Sequence, residues 1–153
     1  MIPPLRAFVF FTDFLCFLYL SLLSYLDIRS RRVPDSVVFS LFLSLLFFDI
    51  CHSYEMIPLK VCSGSLFFAI LFCIAYFTKG LGMGDCKLAF VTGYEFGFVV
   101  SSLSFALGSV LALLFYGICH VKKRGVEKIP FVPFITGGIM IVSLLCRWFG
   151  EIS

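Results

Sequence analysis

The sequence has too few charged residues for a soluble protein. Only 14% of its 153 residues are charged, while 61% are hydrophobic. Soluble domains carry about 25% charged and about 45–50% apolar residues, so the charges here could not cover a soluble surface. The 21 phenylalanines also exclude a disordered chain, because disordered sequences are poor in aromatic residues. The composition therefore indicates an integral membrane protein.

Paired cysteine motifs are missing as well. The seven cysteines form no C-x-x-C pair, and most lie inside apolar runs. Buried cysteine usually behaves as a small hydrophobe, so we expect neither a disulfide framework nor a metal site. His52 and His120 have no partners at ligand spacing. We expect no cofactor and no nucleic-acid partner.

The N-terminal apolar run lacks a basic region before it and a small-residue cleavage site after it. These two features mark secretory signal peptides. Their absence predicts that this run is a retained membrane helix.

The apolar runs predict an all-α, polytopic membrane helix bundle that occupies residues 1–153 as a single domain. About 20 residues are needed for each crossing, so the chain has room for about six helices. The predicted helices cover residues 7–26, 37–50, 60–78, 85–94, the run from a turn near Gly93–Gly97 to His120, and 131–149. The fourth helix rises only ~15 Å, so the bundle must shield its end from the ~30 Å hydrocarbon core.

The distribution of basic residues predicts the orientation. Residues 27–36, 79–87 and 121–130 lie on one side of the membrane if connections alternate, and they hold nine of the twelve basic residues. Cytoplasmic connections are rich in Lys and Arg. We therefore predict that these stretches are cytoplasmic, that both termini lie outside, and that the protein resides in the inner (cytoplasmic) membrane. Arg29, Arg31 and Arg32 would fix this topology and bind anionic lipid.

Four of the nine acidic residues fall at the predicted cytoplasmic edge: Asp27, Asp35, Asp85 and Glu127. Asp27 ends the first helix and Asp85 starts the fourth, so packing these helices together would bring the two carboxyl groups close. Two adjacent carboxyl groups do not both ionise easily. One acid and one base around a water is the chemistry of aspartic peptidases. Simpler interpretations stay open: Asp85 as a helix N-cap, and Asp27 as a solvated residue paired with Arg29 or Arg31.

Glycines alternate directly before Asp85, at Gly80, Gly82 and Gly84. This arrangement suits a backbone that approaches a ligand or another chain closely. A flexible turn is the simpler interpretation, although one glycine would suffice for it. A strand with few side chains could pair with an extended substrate peptide.

Three segments together resemble the type IV prepilin peptidases. Residues 27–34, DIRSRRVP, resemble the motif D-x-[RK]-x-x-x-[IV]-P, and residues 82–88, GMGDCKL, resemble G-x-G-D-x-K-L. Residues 129–134, IPFVPF, are similar to the start of the family's last helix, I-P-F-x-P-[FY]. The three motifs occur in order, each at a predicted cytoplasmic edge, and the resemblance spans nearly the whole chain.

The resemblance implies a membrane aspartic endopeptidase without a cofactor. Its catalytic pair would be Asp27 and Asp85. Its substrates would be prepilin-like, pseudopilin-like or preflagellin-like precursors, cut at the cytoplasmic face between a basic leader and an apolar helix. The family pattern also makes Gly80, Gly82, Gly84 and Lys87 candidates for the active-site loop and for substrate binding. On a helix, however, Lys87 points ~200° away from Asp85.

The sequence departs from the family in two ways. Asp35 follows Pro34 where Asn is commoner. The chain also has neither the N-terminal insertion nor the paired C-x-x-C motifs of the long members, which are linked to methylation. It resembles the short, peptidase-only members, so methyltransferase activity is not expected. Pro130 and Pro133 would shape the start of the last helix.

Two other interpretations remain open. A small membrane transporter, or a secretion or pilus-assembly subunit without catalysis, would make Asp13, Asp49 or Glu95 important for ion or solute movement. A presenilin-like protease would also carry G-x-G-D, but Leu26 stands before Asp27 where those enzymes have Tyr. The sequence does not determine the substrate, the acid and base roles of the two aspartates, or the oligomeric state.

Overall fold

The computed structural model describes residues 4–30, 34–78, 82–121 and 130–150. These ranges form helices joined by short connections, and they contain no strand. The helices are α1 (Pro4–Ser30), α2 (Asp35–His52), α3 (Ile57–Thr78), α4 (Met83–Val121) and α5 (Val132–Gly150), with a 3-10 turn at Tyr54–Met56. The predicted all-α class is confirmed.

Helix α4 is broken at Gly97, whose φ of 80° and ψ of 165° are not helical. Glycine adopts positive φ without steric cost. The Ser101 hydroxyl donates a hydrogen bond of 2.8 Å to the carbonyl of Thr92, which a straight helix would hold about 13 Å away. The chain therefore folds back at Gly97, where the sequence predicted a turn. The first segment of α4 is residues 83–96 and the second is residues 98–121.

Four helices are long and apolar enough to cross a membrane: Phe11–Ser30, Asp35–His52, Tyr54–Thr78 and Met83–Cys119. A shorter apolar helix covers Val132–Cys146. The first segment of α4 rises only about 21 Å, less than the ~30 Å core of a bilayer. The six crossings and the outside termini stay predictions. Large apolar side chains such as Leu113 and Trp148 are exposed on the outer surface of the bundle, as expected of residues that face lipid.

Glycines let the helices pack closely on both sides of α4. A Cβ atom at Gly64 of α3 would lie 2.6 Å from the carbonyl oxygen of Phe90, and one at Gly93 would lie 3.1 Å from Gly64 Cα. In the same way, a Cβ atom at Gly108 of the second segment would lie 2.9 Å from the carbonyl oxygen of Phe134 in α5. Small residues allow such close approach in membrane bundles. These contacts hold the first segment of α4 against α3 and its second segment against α5.

Helices α1 and α5 run antiparallel, so the end of α1 lies beside the start of α5. Leu20 and Leu23 of α1 and Ile135 and Ile139 of α5 are fully buried. The start of α4 lies at the same end of the bundle, because Asp85 in its first turn interacts electrostatically with Asp27 near the end of α1. The described residues of the three sequence motifs fall at that end.

Most of the basic residues that predicted the orientation lie outside the described residues, as does Glu127. The residues concerned are Arg31, Arg32, Lys79, Lys122, Lys123, Arg124 and Lys128. The predicted cytoplasmic side of the protein therefore stays a prediction.

Candidate active site

Asp27 lies in the last turn of α1 and is 7% exposed. Its Oδ2 accepts a hydrogen bond of 3.1 Å from the backbone N–H of Val132, the first residue of α5. The N–H groups at a helix start have no partner within the helix, and this end of the helix carries a partial positive charge. Asp27 is therefore buried and bound by α5. The interpretation of Asp27 as a solvated residue is wrong.

The local sequence at the start of α5 leaves one N–H group free for Asp27. The carbonyl oxygen of Phe131 accepts hydrogen bonds from the N–H groups of Phe134, at 3.1 Å, and Ile135, at 3.2 Å. Pro133 has no N–H group. Among the described residues of this first turn, Val132 is therefore the one whose N–H group points to another helix. No local pattern marks Val132, because its partner lies 105 residues earlier in the chain.

Asp85 is the third residue of α4 and is half-buried. Its backbone N–H donates a hydrogen bond of 3.0 Å to the carbonyl of Gly82, and its carboxyl group interacts with the backbone N–H of Gly82. Asp85 is thus not the N-cap itself but an acid in the first turn, where negative charge is favoured. Its charge also interacts with that of Asp27. The structure brings the two aspartates within electrostatic range of each other.

The glycines before Asp85 differ in what they contribute. A Cβ atom at Gly82 would lie 3.4 Å from Asp85 Oδ2, so a side chain there would cover the carboxyl group. Gly82 is exposed and leaves that oxygen accessible, whereas Gly84 is half-buried inside α4. Gly80 lies outside the described residues.

Lys87 does not join the two aspartates. Its Nζ forms an ion pair of 2.6 Å with Asp35 Oδ2, on the side of α4 that faces away from Asp85. The ion pair lies at an apolar groove of about 740 Å³ between α2, α3 and α4. The groove is lined by Val38, Phe39, Phe42, Phe68, Phe90 and Val91, among others. The acid at position 35, where the family commonly has Asn, is the partner of Lys87.

Sequence reasoning missed a polar cluster elsewhere in the bundle. Lys60 Nζ of α3 lies 2.9 Å from Asp49 Oδ1 and 3.5 Å from Glu95 Oε2. The hydroxyl of Tyr94 donates to Asp49 Oδ2 at 2.7 Å, and that of Ser53 donates to Oδ1 at 3.0 Å. Neither Asp49 nor Glu95 is among the four acids that the sequence placed at the predicted cytoplasmic edge. The sequence places Lys60 at a similar predicted depth to both acids, which suggests that they lie near one another. It does not show which of these residues form ion pairs.

The polar cluster joins α2, α3 and the first segment of α4. Asp49 is 1% exposed and carries two hydroxyl donors besides Lys60. Within the described ranges, no group of three or more His, Cys, Asp or Glu side chains could hold a metal ion. The transporter interpretation expects Asp49 and Glu95 to handle ions, whereas here both are ion-paired with Lys60.

Residues 14–118 match the type IV leader peptidase family, a range that includes both Asp27 and Asp85. The third motif, at residues 129–134, lies beyond the match. No curated protein and no solved structure matched the chain. Because the match covers about two thirds of the sequence, the chain belongs to the type IV leader peptidase family, which is a family of proteases.

Proposed function

We propose that this protein is a membrane aspartic endopeptidase that removes the leader from prepilin-like precursors. The observation that carries the proposal is the electrostatic interaction of Asp85 with Asp27 at the end of the bundle where the first N–H group of α5 holds Asp27. Family membership supports peptide cleavage in general, and the two buried or half-buried acids supply the groups for it.

The chemistry needs a water molecule between the two carboxyl groups. One carboxylate takes a proton from the water as its oxygen attacks the peptide carbonyl carbon. The other carboxyl group, protonated at the start, donates its proton as the carbon–nitrogen bond breaks and the amine leaves. General acid–base catalysis contributes roughly 10²–10⁴-fold in rate. The two roles are not assigned to individual aspartates, because a carboxyl pair titrates as a unit.

The position of the pair suits a bond at the membrane surface. Asp27 lies three residues before the end of α1, and Asp85 lies two residues after the start of α4. A substrate that joins a basic leader to an apolar helix would place its junction at such helix ends. Gly82 leaves space beside Asp85 for an extended peptide. The distribution of basic residues supports the cytoplasmic face of the inner membrane.

Co-expression with epitope-tagged prepilin-like precursors tests the proposal. Each precursor has a short basic leader followed by an apolar helix. Asp27→Asn and Asp85→Asn, made separately, should each abolish processing. Asp35→Asn is a matched control, because it changes an acid at the same end of the bundle that pairs with Lys87 instead. It should retain processing.

Processing that persists in either aspartate variant, at matched protein levels, would contradict the assignment. Mass spectrometry of the new N-terminus identifies the cleaved bond. It also detects methylation, which the proposal does not include.

A further inference from the structure

Among the polar contacts between α1 and α5, two lie one helical turn apart. The first is the hydrogen bond from the Val132 N–H to Asp27. The second joins the hydroxyls of Ser24 and Thr136, whose oxygens lie 2.8 Å apart. Ser24 precedes Asp27 by three residues and Thr136 follows Val132 by four, so each pair shares one face of its helix. The two contacts therefore lie in consecutive helical turns of the same α1–α5 interface.

The hydroxyl contact lies among apolar side chains. Ser24 Oγ lies 2.8 Å from the carbonyl of Leu20, and Thr136 Oγ1 lies 2.9 Å from the carbonyl of Val132. Apolar contacts alone are not directional, so they permit small shifts of one helix along the other. The hydroxyl pair is directional: with Ser24 donating to Thr136, the Thr136 hydroxyl donates to the carbonyl of Val132, the residue whose N–H group binds Asp27.

We propose that the Ser24–Thr136 pair and the backbone N–H of Val132 are positioning groups that hold the Asp27 carboxyl group in its catalytic orientation. This inference rests on the proposed function. Because α5 advances 1.5 Å per residue, a slip of a single residue would move the Val132 N–H away from Asp27. A misplacement of about 1 Å can reduce an enzymatic rate by about 10²-fold. The loss should appear in kcat and not in KM, because these groups do not contact the substrate.

The side-chain test uses Thr136→Val, which removes the hydroxyl and nearly preserves the shape. Interhelical hydrogen bonds in membranes contribute about 0.6 to 1.7 kcal/mol, and if all of this energy serves to position Asp27, its loss lowers kcat by about 3- to 18-fold. Thr136→Ser keeps the hydroxyl and should restore kcat to within about twofold of wild type. Thr78→Val is the matched control, since the Thr78 hydroxyl donates to Ile74 within its own helix. It should leave kcat unchanged.

The backbone test removes the N–H group of Val132 and leaves its side chain. Valine at this position is replaced by its α-hydroxy acid through nonsense suppression in a cell-free system with lipid nanodiscs. The resulting ester should lower kcat at least tenfold. The same ester at Phe134 is the control, because that N–H group donates to Phe131 within the start of α5. It should cost less than the ester at Val132.

The outcomes separate this inference from the proposed function. The relevant case is the one in which wild type cleaves and Asp27→Asn does not. If Thr136→Val and the Val132 ester then both keep the wild-type kcat, the inference is overturned. A fall in Thr136→Val that Thr136→Ser does not reverse, or that Thr78→Val reproduces, also overturns it. If the Thr136→Val protein does not accumulate, the inference is judged from kcat of the Val132 ester compared with kcat of the Phe134 ester. If wild type cleaves no precursor, the proposed function fails and the inference fails with it.

Discussion

Replacing Lys60 by methionine should destabilise the protein strongly. Lys60 is the cation of the polar cluster and contacts both carboxylate oxygens of Asp49, at 2.9 and 3.0 Å. Asp49 is 1% exposed, so it cannot recover a water shell when the cation is lost. Methionine keeps most of the length of the lysine side chain and removes only its charge and its donors.

The magnitude follows from the burial of the cluster. Breaking a buried ion pair by removing one partner costs about 3–5 kcal/mol. Lys60 is itself 24% exposed, so water already weakens the interaction and the lower value of about 3 kcal/mol is expected. Tyr94→Phe should cost less, about 1.5–3 kcal/mol, because it removes one hydrogen bond to a charged acceptor. Changing Asp49 to Asn together with Lys60→Met should recover part of the loss, because no unpaired charge then remains on Asp49.

Thermal unfolding in detergent measures these differences. For a chain of this size, 1 kcal/mol corresponds to about 2–4 °C in Tm, so Lys60→Met should lower Tm by about 6–12 °C. Glu55→Gln is the control, since Glu55 is an exposed acid in the nearby 3-10 turn. A Tm within 2 °C of wild type for Lys60→Met would refute the reasoning. So would a double variant that is no more stable than the single one.

Three further predictions test the packing and the site. Gly64→Ala should lower Tm, because the added Cβ atom would lie 2.6 Å from a backbone oxygen and overpacking costs about 1–3 kcal/mol. Gly117→Ala should leave Tm unchanged, because Gly117 has open space around it. Gly82→Val should reduce cleavage without lowering Tm, because its side chain would cover the carboxyl group of Asp85; a precursor-processing assay and a melting curve read the two effects separately. Lys87→Met should shift Tm by less than about 4 °C, because an exposed ion pair contributes about 0–1 kcal/mol.

Local patterns in the sequence were enough to find the helices. Apolar runs mark membrane helices because the lipid provides no partner for an unpaired backbone group. The turn expected near Gly93–Gly97 occurs at Gly97, whose φ of 80° a glycine adopts without steric cost. The sequence also placed Asp27 and Asp85 at helix ends on one predicted side of the membrane, and in the structure the two residues interact electrostatically.

The burial of Asp27 and its contact with α5 could not be predicted from local sequence patterns. The sequence placed the end of the first helix near residue 26, but α1 continues to Ser30. The Ser30 hydroxyl donates to the Leu26 carbonyl, which satisfies a backbone group in the last turn. The longer helix carries Asp27 into the bundle, where it contacts Val132. This contact, like that between Asp49 and Lys60, joins distant parts of the chain and is set by helix packing.

The most direct test of the central claim is cleavage by purified protein in nanodiscs. Wild type, Asp27→Asn, Asp85→Asn and Asp35→Asn are each incubated with one precursor, and the mass of the product is followed over time. Loss of either carboxyl group of the proposed pair should slow cleavage by at least about 10²-fold, while Asp35→Asn should cleave the same bond as wild type at a similar rate. Cleavage of that bond by Asp27→Asn or Asp85→Asn within tenfold of the wild-type rate would contradict the claim that these two aspartates perform the reaction.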